Sequence, residues 1–191
     1  PTTSNAGPDA SVCGLTATLA GNAPTVGAGT WTLVSGPGTA NFSNSSLANT
    51  SVTVSVTGVY TFRWTIANAP CAASTDDVSI TFTASPAVSN AGPDQTICTT
   101  TGSVTMAGNT PSAGTGTWTQ ISGPVTGTIA TPASATTSIS GLTTAGTYVF
   151  EWTISNAPCP ASTDQVSIVV NAPPTTSNAG PDASVCGLTA T

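Results

Sequence analysis

The chain has 191 residues, of which 4% are charged: one lysine or arginine, seven aspartates and glutamates and no histidine, for a formal net charge of −6. A soluble domain ordinarily carries about 25% charged residues, so this surface is wetted mainly by hydroxyls, with Ser and Thr making up roughly a third of the chain. Arg63 is the only basic side chain, which excludes a nucleic-acid surface, a P-loop and a Schiff-base lysine, and the lack of histidine excludes an imidazole base, a Ser-His-Asp triad and a His-ligated metal.

In chain order, the apolar alternation of the first unit predicts short strands near 10–12, 15–20, 30–35, 39–43, 51–56, 59–67 and 77–83. Val52, Val54 and Val56 alternate with hydroxyls, as do Val78, Ile80 and Phe82. In the run Tyr60-Thr-Phe-Arg-Trp-Thr-Ile66 the alternation places Tyr60, Phe62, Trp64 and Ile66 inward, with Thr61, Arg63 and Thr65 outward. Clusters of Gly, Pro, Asn and Ser separate the runs, and no stretch has the 3.6-residue period of an amphipathic helix. The second unit repeats the design in Tyr148-Val-Phe-Glu-Trp-Thr-Ile154 and in Val166, Ile168 and Val170. About seven short strands in some 86 residues predict an all-β fold of tandem immunoglobulin-like sandwiches, with Trp31 and Trp118 buried on the third strand of each. Core packing is the preferred reading of every aromatic residue. No run approaches the ~20 apolar residues of a membrane span, so membrane insertion is not expected.

Internal repetition sets the organisation. Ser4-Asn-Ala-Gly-Pro-Asp9 returns at Ser89–Asp94 and Ser177–Asp182. Gly29-Thr-Trp31 returns at Gly116–Trp118, and Asn68-Ala-Pro-Cys71 at Asn156–Cys159. Residues 1–18 and 174–191 are identical at every position, so identity recurs after 173 residues (174 less 1). The expected units are a repeat A at 1–86, a repeat B at 87–173 and, at 174–191, the start of another repeat A within a longer A-B-A-B array. Proline in Thr83–Ala87 and Asn171–Pro174 predicts semi-rigid connections.

The five cysteines fall into two registers: Cys13, Cys98 and Cys186 in one, Cys71 and Cys159 in the other. An even number per period and the absence of a C-x-x-C motif favour disulfides in an oxidising compartment over metal binding. Two pairings respect the periodicity. One is intradomain, Cys13–Cys71 and Cys98–Cys159, with Cys186 pairing in the next repeat. The other staples neighbours through Cys71–Cys98 and Cys159–Cys186. The intradomain option is preferred, because each unit holds both registers and the first strand is short and turn-rich. Against it, a regular sandwich puts the two registers at opposite ends.

The carboxylates are the remaining candidate chemistry. Asp9 and the pair Asp76-Asp77 are candidate Ca²⁺ ligands, since the first and last strands of such a sandwich start at one end; the second unit offers only Asp94 and Asp164, with Gln165 replacing the second aspartate. The preferred reading is that Gly-Pro-Asp and Ser-Thr-Asp are turns with Asx-type hydrogen bonds. Arg63 and Glu151 occupy equivalent outward positions. Asn41, Asn44 and Asn49 each begin an N-x-[ST] sequon in a loop that the second unit does not reproduce, and that loop is the candidate surface for a binding role. No catalytic constellation is present, and no cofactor is expected.

Together, the opening Ser-Asn-Ala-Gly-Pro-Asp motif with its following Cys, the Gly-Thr-Trp-Thr motif, the Gly-x-Tyr-x-Phe-x-Trp-Thr-Ile strand and the closing Asn-Ala-Pro-Cys and Ser-Thr-Asp motifs resemble a known pattern. It is that of the Ig-like/PKD-like tandem repeats of giant Bacteroidota cell-surface proteins, the gliding-motility adhesins of flavobacteria among them. The resemblance covers both units and the fragment after Pro174. It implies an extracellular, cell-surface location and a structural, non-catalytic role in a long fibre or adhesin. The partners it implies are neighbouring copies of the repeat, other chains of a fibre, and an extracellular surface or glycan. The alternative is an adhesive module that recognises polysaccharide or another cell through its loop tips.

Overall fold

A computed structural model of the chain describes residues 1–99, 102–182, 184 and 186. The N-terminal half builds seven strands: β1 (Ala10–Cys13), β2 (Thr16–Thr18), β3 (Ala28–Ser35), β4 (Ala40–Phe42), β5 (Ser51–Val54), β6 (Gly58–Asn68) and β7 (Cys71–Thr83). The C-terminal half repeats them as β8 (Gln95–Cys98), β9 (Ser103–Thr105), β10 (Thr115–Ser122), β11 (Thr128–Ile129), β12 (Ser138–Ser140), β13 (Gly146–Ser155) and β14 (Ser162–Asn171). Each half is a two-layer sandwich. A four-stranded sheet of order β1-β7-β6-β3 faces a three-stranded sheet β2-β5-β4, and β8-β14-β13-β10 faces β9-β12-β11. No helix occurs among the described residues. The fold is therefore all-β and immunoglobulin-like, and the strands of the first unit match those expected from the alternation except the last, which begins at Cys71 rather than near 77 because the β6–β7 ladder continues through the polar Ser74–Asp77 stretch.

Period-2 patterning explains the layers. Along β6, Tyr60, Phe62, Trp64 and Ile66 are fully buried, and along β13 so are Tyr148, Phe150, Trp152 and Ile154. Trp31 sits opposite Trp64 in the β3–β6 ladder, their rings 5.0 Å apart; Trp118 and Trp152 repeat this at 5.1 Å. The indole N–H of Trp31 donates to the Ala48 carbonyl and that of Trp64 to Asn22, so neither ring buries an unsatisfied donor. Tyr60 and Tyr148 each donate their hydroxyl to the backbone carbonyl four residues upstream, at Val56 and Thr144, in the tyrosine corner of such sandwiches. The two cores share no residue, so each half has the packed interior of a separate domain.

The opening motif acts as a strap. Ser4 and Ala6 are buried, and the Ser4 amide donates to the Ser74 hydroxyl. The Asn5 side-chain oxygen accepts the Gly7 amide in a turn whose Gly7 has φ of 85°, a conformation that favours glycine. The strap then becomes β1, which runs parallel to β7 with Ala10 beside Ile80 and Cys13 beside Thr83. Ser89, Asn90 and Gly92 repeat the same contacts ahead of β8, which lies parallel to β14. The third copy forms the same turn, Gly180 donating to the Asn178 side chain at 2.7 Å. The remainder of the expected third repeat, at 183, 185 and 187–191, lies outside the described residues.

Candidate functional site

The feature of the molecule that joins its parts is the junction between the sandwiches, and β1 and the β13–β14 turn build it. Because β1 is parallel to β7, it ends where β7 ends, so Cys13 stands at the exit of the first sandwich beside Thr83. The β13–β14 turn, Asn156-Ala-Pro-Cys159, stands at the entrance of the second. Cys13 and Cys159 are joined by a disulfide, with their Cα atoms 4.8 Å apart and a separation of 146 positions in sequence. The bond crosses from one sandwich to the next. Around it, the Asn156 side-chain amide donates to the Ala84 carbonyl at 2.8 Å, and the Cys159 sulfur lies 3.4 Å from that same oxygen. The Ser85 hydroxyl lies 3.7 Å from the Cys13 sulfur. Cys159 is 8% exposed, shielded by the linker it holds.

This corrects both expected cysteine pairings. Cys13–Cys71 cannot form, because the two cysteines sit at opposite ends of β7, a 13-residue strand that spans roughly 40 Å, whereas a disulfide needs Cα atoms within about 7 Å. The same geometry separates Cys98, beside Asn171 at the end of β14, from Cys159 in the turn that precedes the strand's start at Ser162. The alternative staples fail too: Cys159 is bonded to Cys13 rather than to Cys186, and Cys71 and Cys98 stand at the two outer poles of the pair of sandwiches. Stapling of neighbours does occur, but it links the first-strand cysteine of the preceding unit to the hairpin cysteine of the following one. The placement of the two cysteine registers at opposite ends of each sandwich decides the matter.

The candidate Ca²⁺ ligands are brought to one edge of the sandwich but not to one point. Asp9 accepts the Ser79 amide at 2.8 Å, and Asp76 accepts the Ala6 amide at 2.7 Å. Asp77, on the opposite face of β7 from Asp76, takes a two-pronged pair with Arg63 at 2.7 and 2.8 Å. Each carboxylate thus answers a donor of its own. Asp94 and Asp164 repeat the first two bonds, to Ser167 and Ala91. No cluster of three or more His, Cys, Asp or Glu able to hold a metal occurs among the described residues. The Asp motifs fasten the strap, and Ser-Thr-Asp is the receiving half of Ser-Asn-Ala-Gly-Pro-Asp. Sequence reasoning found both motifs but not that they are mates; their constant co-occurrence in each unit was the available signal.

Arg63 and Glu151 are equivalent, as expected, and the structure adds their cross-strand partners. Arg63 faces Asp77, and Glu151 faces Gln165, whose amide donates to it at 2.9 Å. The second unit has exchanged an ion pair for an amide–carboxylate bond. A hydrogen bond from Arg63, then its charge, holds the Asp77 carboxyl below its ordinary value.

The Asn41–Asn49 loop is less distinctive than its sequence suggests. Its backbone caps the core tryptophan, the Trp31 amide donating to Ser45 and the indole to Ala48, and buried Thr50 accepts the Asn44 amide. In the second unit Pro132, Ala135 and Thr137 make the same bonds to Trp118 and Thr131. The loops differ in side chains and share one frame. Asn44 uses its side-chain oxygen to accept the Ser46 amide in a local turn.

Comparison with known proteins follows this architecture. The family described as "K319L-like, PKD domain" matches residues 6–82 and again 91–170. Drosophila OTK, extracellular domains 3–5, is 14% identical over 86% of this chain and 59% of its own length, with a TM-score of 0.58. Sidekick-1 immunoglobulin domains 1–4 are 16% identical over 87% of this chain and 48% of their own, with a TM-score of 0.52. The PKD domain of human KIAA0319 is 22% identical over 51% of this chain and 88% of its own, with a TM-score of 0.38. The chain thus spans about half to three fifths of the two Ig-domain structures. At these identities the likeness to them is one of fold. No curated protein matches the chain.

Proposed function

The chain belongs to the K319L-like PKD domain family, whose Ig-like domains are typically non-catalytic and typical of extracellular adhesion-type proteins; from that premise we propose that it is a structural segment of a long cell-surface fibre or adhesin. Its units, at 1–86 and 87–173, supply length and carry tension along the fibre. The carrier of the reading is the Cys13–Cys159 bond, which makes the two sandwiches one covalently closed mechanical element. Pulling on such a segment meets that bond in parallel with the Thr83–Ala87 linker. A disulfide of this kind persists in an oxidising compartment, which supports an extracellular site of action. The nearly chargeless hydroxyl surface and the repeat motifs support a place among the giant surface proteins of Bacteroidota. Neighbouring copies of the repeat are the proposed partners.

Electron microscopy of the native material tests the proposal. A thin filament is expected, with an axial repeat of roughly 70–80 Å per pair of units, since the last strands of the two units, 13 residues in β7 and 10 in β14, span about 43 and 33 Å at ~3.3 Å rise. Discrete globular particles would overturn it.

A further inference from the structure

The junction seen between the two sandwiches is prepared a second time at the outer poles. Cys98 ends β8 beside Asn171 as Cys13 ends β1 beside Thr83, and the next amide bonds the same carbonyl in each case: Gly14 to Thr83 at 2.8 Å, Thr99 to Asn171 at 3.0 Å. The connection onward has equal length. Six positions separate Thr83 from Ser89 of the second strap, and six separate Asn171 from Ser177 of the third. At the other pole, Asn68-Ala-Pro-Cys71 repeats Asn156-Ala-Pro-Cys159 residue for residue. Cys71 is exposed where Cys159 is buried against a neighbour's linker.

From this equivalence we infer that Cys98 forms a disulfide with the Cys71 of a following A unit, the one whose first eighteen residues are Pro174–Thr191. Asn68 of that unit then donates its amide to the Ala172 carbonyl, as Asn156 does to Ala84. Every junction of the array is stapled in the same sense: first-strand cysteine of one unit to hairpin cysteine of the next. The step is a thiol–disulfide exchange. One cysteine thiolate attacks the disulfide of a small or protein oxidant, releasing one thiol and forming a mixed disulfide. The second cysteine thiolate then displaces the other thiol, so that two protons and two electrons pass to the oxidant, which leaves as two thiols.

The inference rests on the serial-segment reading and fails separately from it. The test uses this chain lengthened by one period, residues 1–173 followed by the full 191, folded in glutathione buffer, alkylated and digested without reduction. The expected product links the Gln95–Cys98 peptide of the first period to the Asn68–Cys71 peptide of the second, in a protein of single-chain mass on a non-reducing denaturing gel. Cys98→Ser in the first period should make the second-period Cys71 fully alkylated and leave both Cys13–Cys159 links intact. Alkylation of that Cys71 in the unsubstituted chain overturns the inference, as do links found only in multimers. Should the mapping fail while native filaments keep their axial repeat, the stapling alone is wrong. Loss of the repeat would remove the fibre reading instead.

Discussion

At the scale of single residues, the shortest motif carries the tightest constraint. Gly29 precedes Trp31 by two positions and so points into the same layer, where a Cβ would overlap the Trp64 indole; Gly116 stands in the same relation to Trp152. Gly-Thr-Trp is therefore a slot for the tryptophan of the neighbouring strand. Gly29→Ala should destabilise the first sandwich by about 1–3 kcal/mol through overpacking, read as a lowered denaturant midpoint with the second sandwich unaffected. Asp77 gives a pH prediction. Its carboxyl, held low by Arg63, contributes stability that is present above the unfolded-state value and lost as pH falls through the folded one, below about pH 4. The pair is 42% and 39% exposed, so Asp77→Asn should barely move the melting point at neutral pH. The acid limb of the first sandwich should lose only that same small contribution, and the second, with Gln165 at that place, should not change.

At the scale of elements, the strap shows how a turn motif becomes a sheet edge. Ser4, Ala6 and Asp9 each find a partner on β7, at Ser74, Asp76 and Ser79, and the strap is thereby laid along the strand before β1 pairs with it. Asp76→Ala leaves the buried Ala6 amide without its acceptor and should cost about 1–3 kcal/mol. Amide hydrogen exchange would localise the loss to residues 4–13, faster exchange appearing there and not in β6. Much of this was legible beforehand. Alternation marked the inward faces of β6 and β13, because strand geometry sends successive side chains to opposite faces. Of the two Asp motifs, Ser-Asn-Ala-Gly-Pro-Asp was legible as a turn, whereas Ser-Thr-Asp, expected to be one as well, lies inside strands β7 and β14. That they clasp each other was not legible, since residues 70 positions apart meet only once the sandwich closes.

At the scale of the whole molecule, stability and mechanics separate. Each sandwich has its own core, and the disulfide lies outside both. Cys159→Ser should leave the thermal midpoints of the sandwiches within a few degrees of their original values. Small-angle scattering should then show a broader distribution of end-to-end distances, because the linker alone joins the units. A collapse of either midpoint would instead place the bond inside a folding unit. The Asn156 contact to Ala84 is too weak to hold the junction alone, a single hydrogen bond contributing about 1 kcal/mol net.

The sequence by itself determined the two-unit repeat, the all-β class, the buried aromatic ladders and the turn at each Asn-Ala-Gly-Pro-Asp. These depend on the next few residues, as the third copy shows by closing its Asn178–Gly180 turn within three residues. Tertiary structure alone decided which carboxylate answers which amide and which cysteine meets which. Two cysteine registers admit several periodic pairings, and the choice among them follows from the parallel seating of β1 on β7. That seating carries Cys13 to the exit of one sandwich, within bonding distance of the entrance to the next.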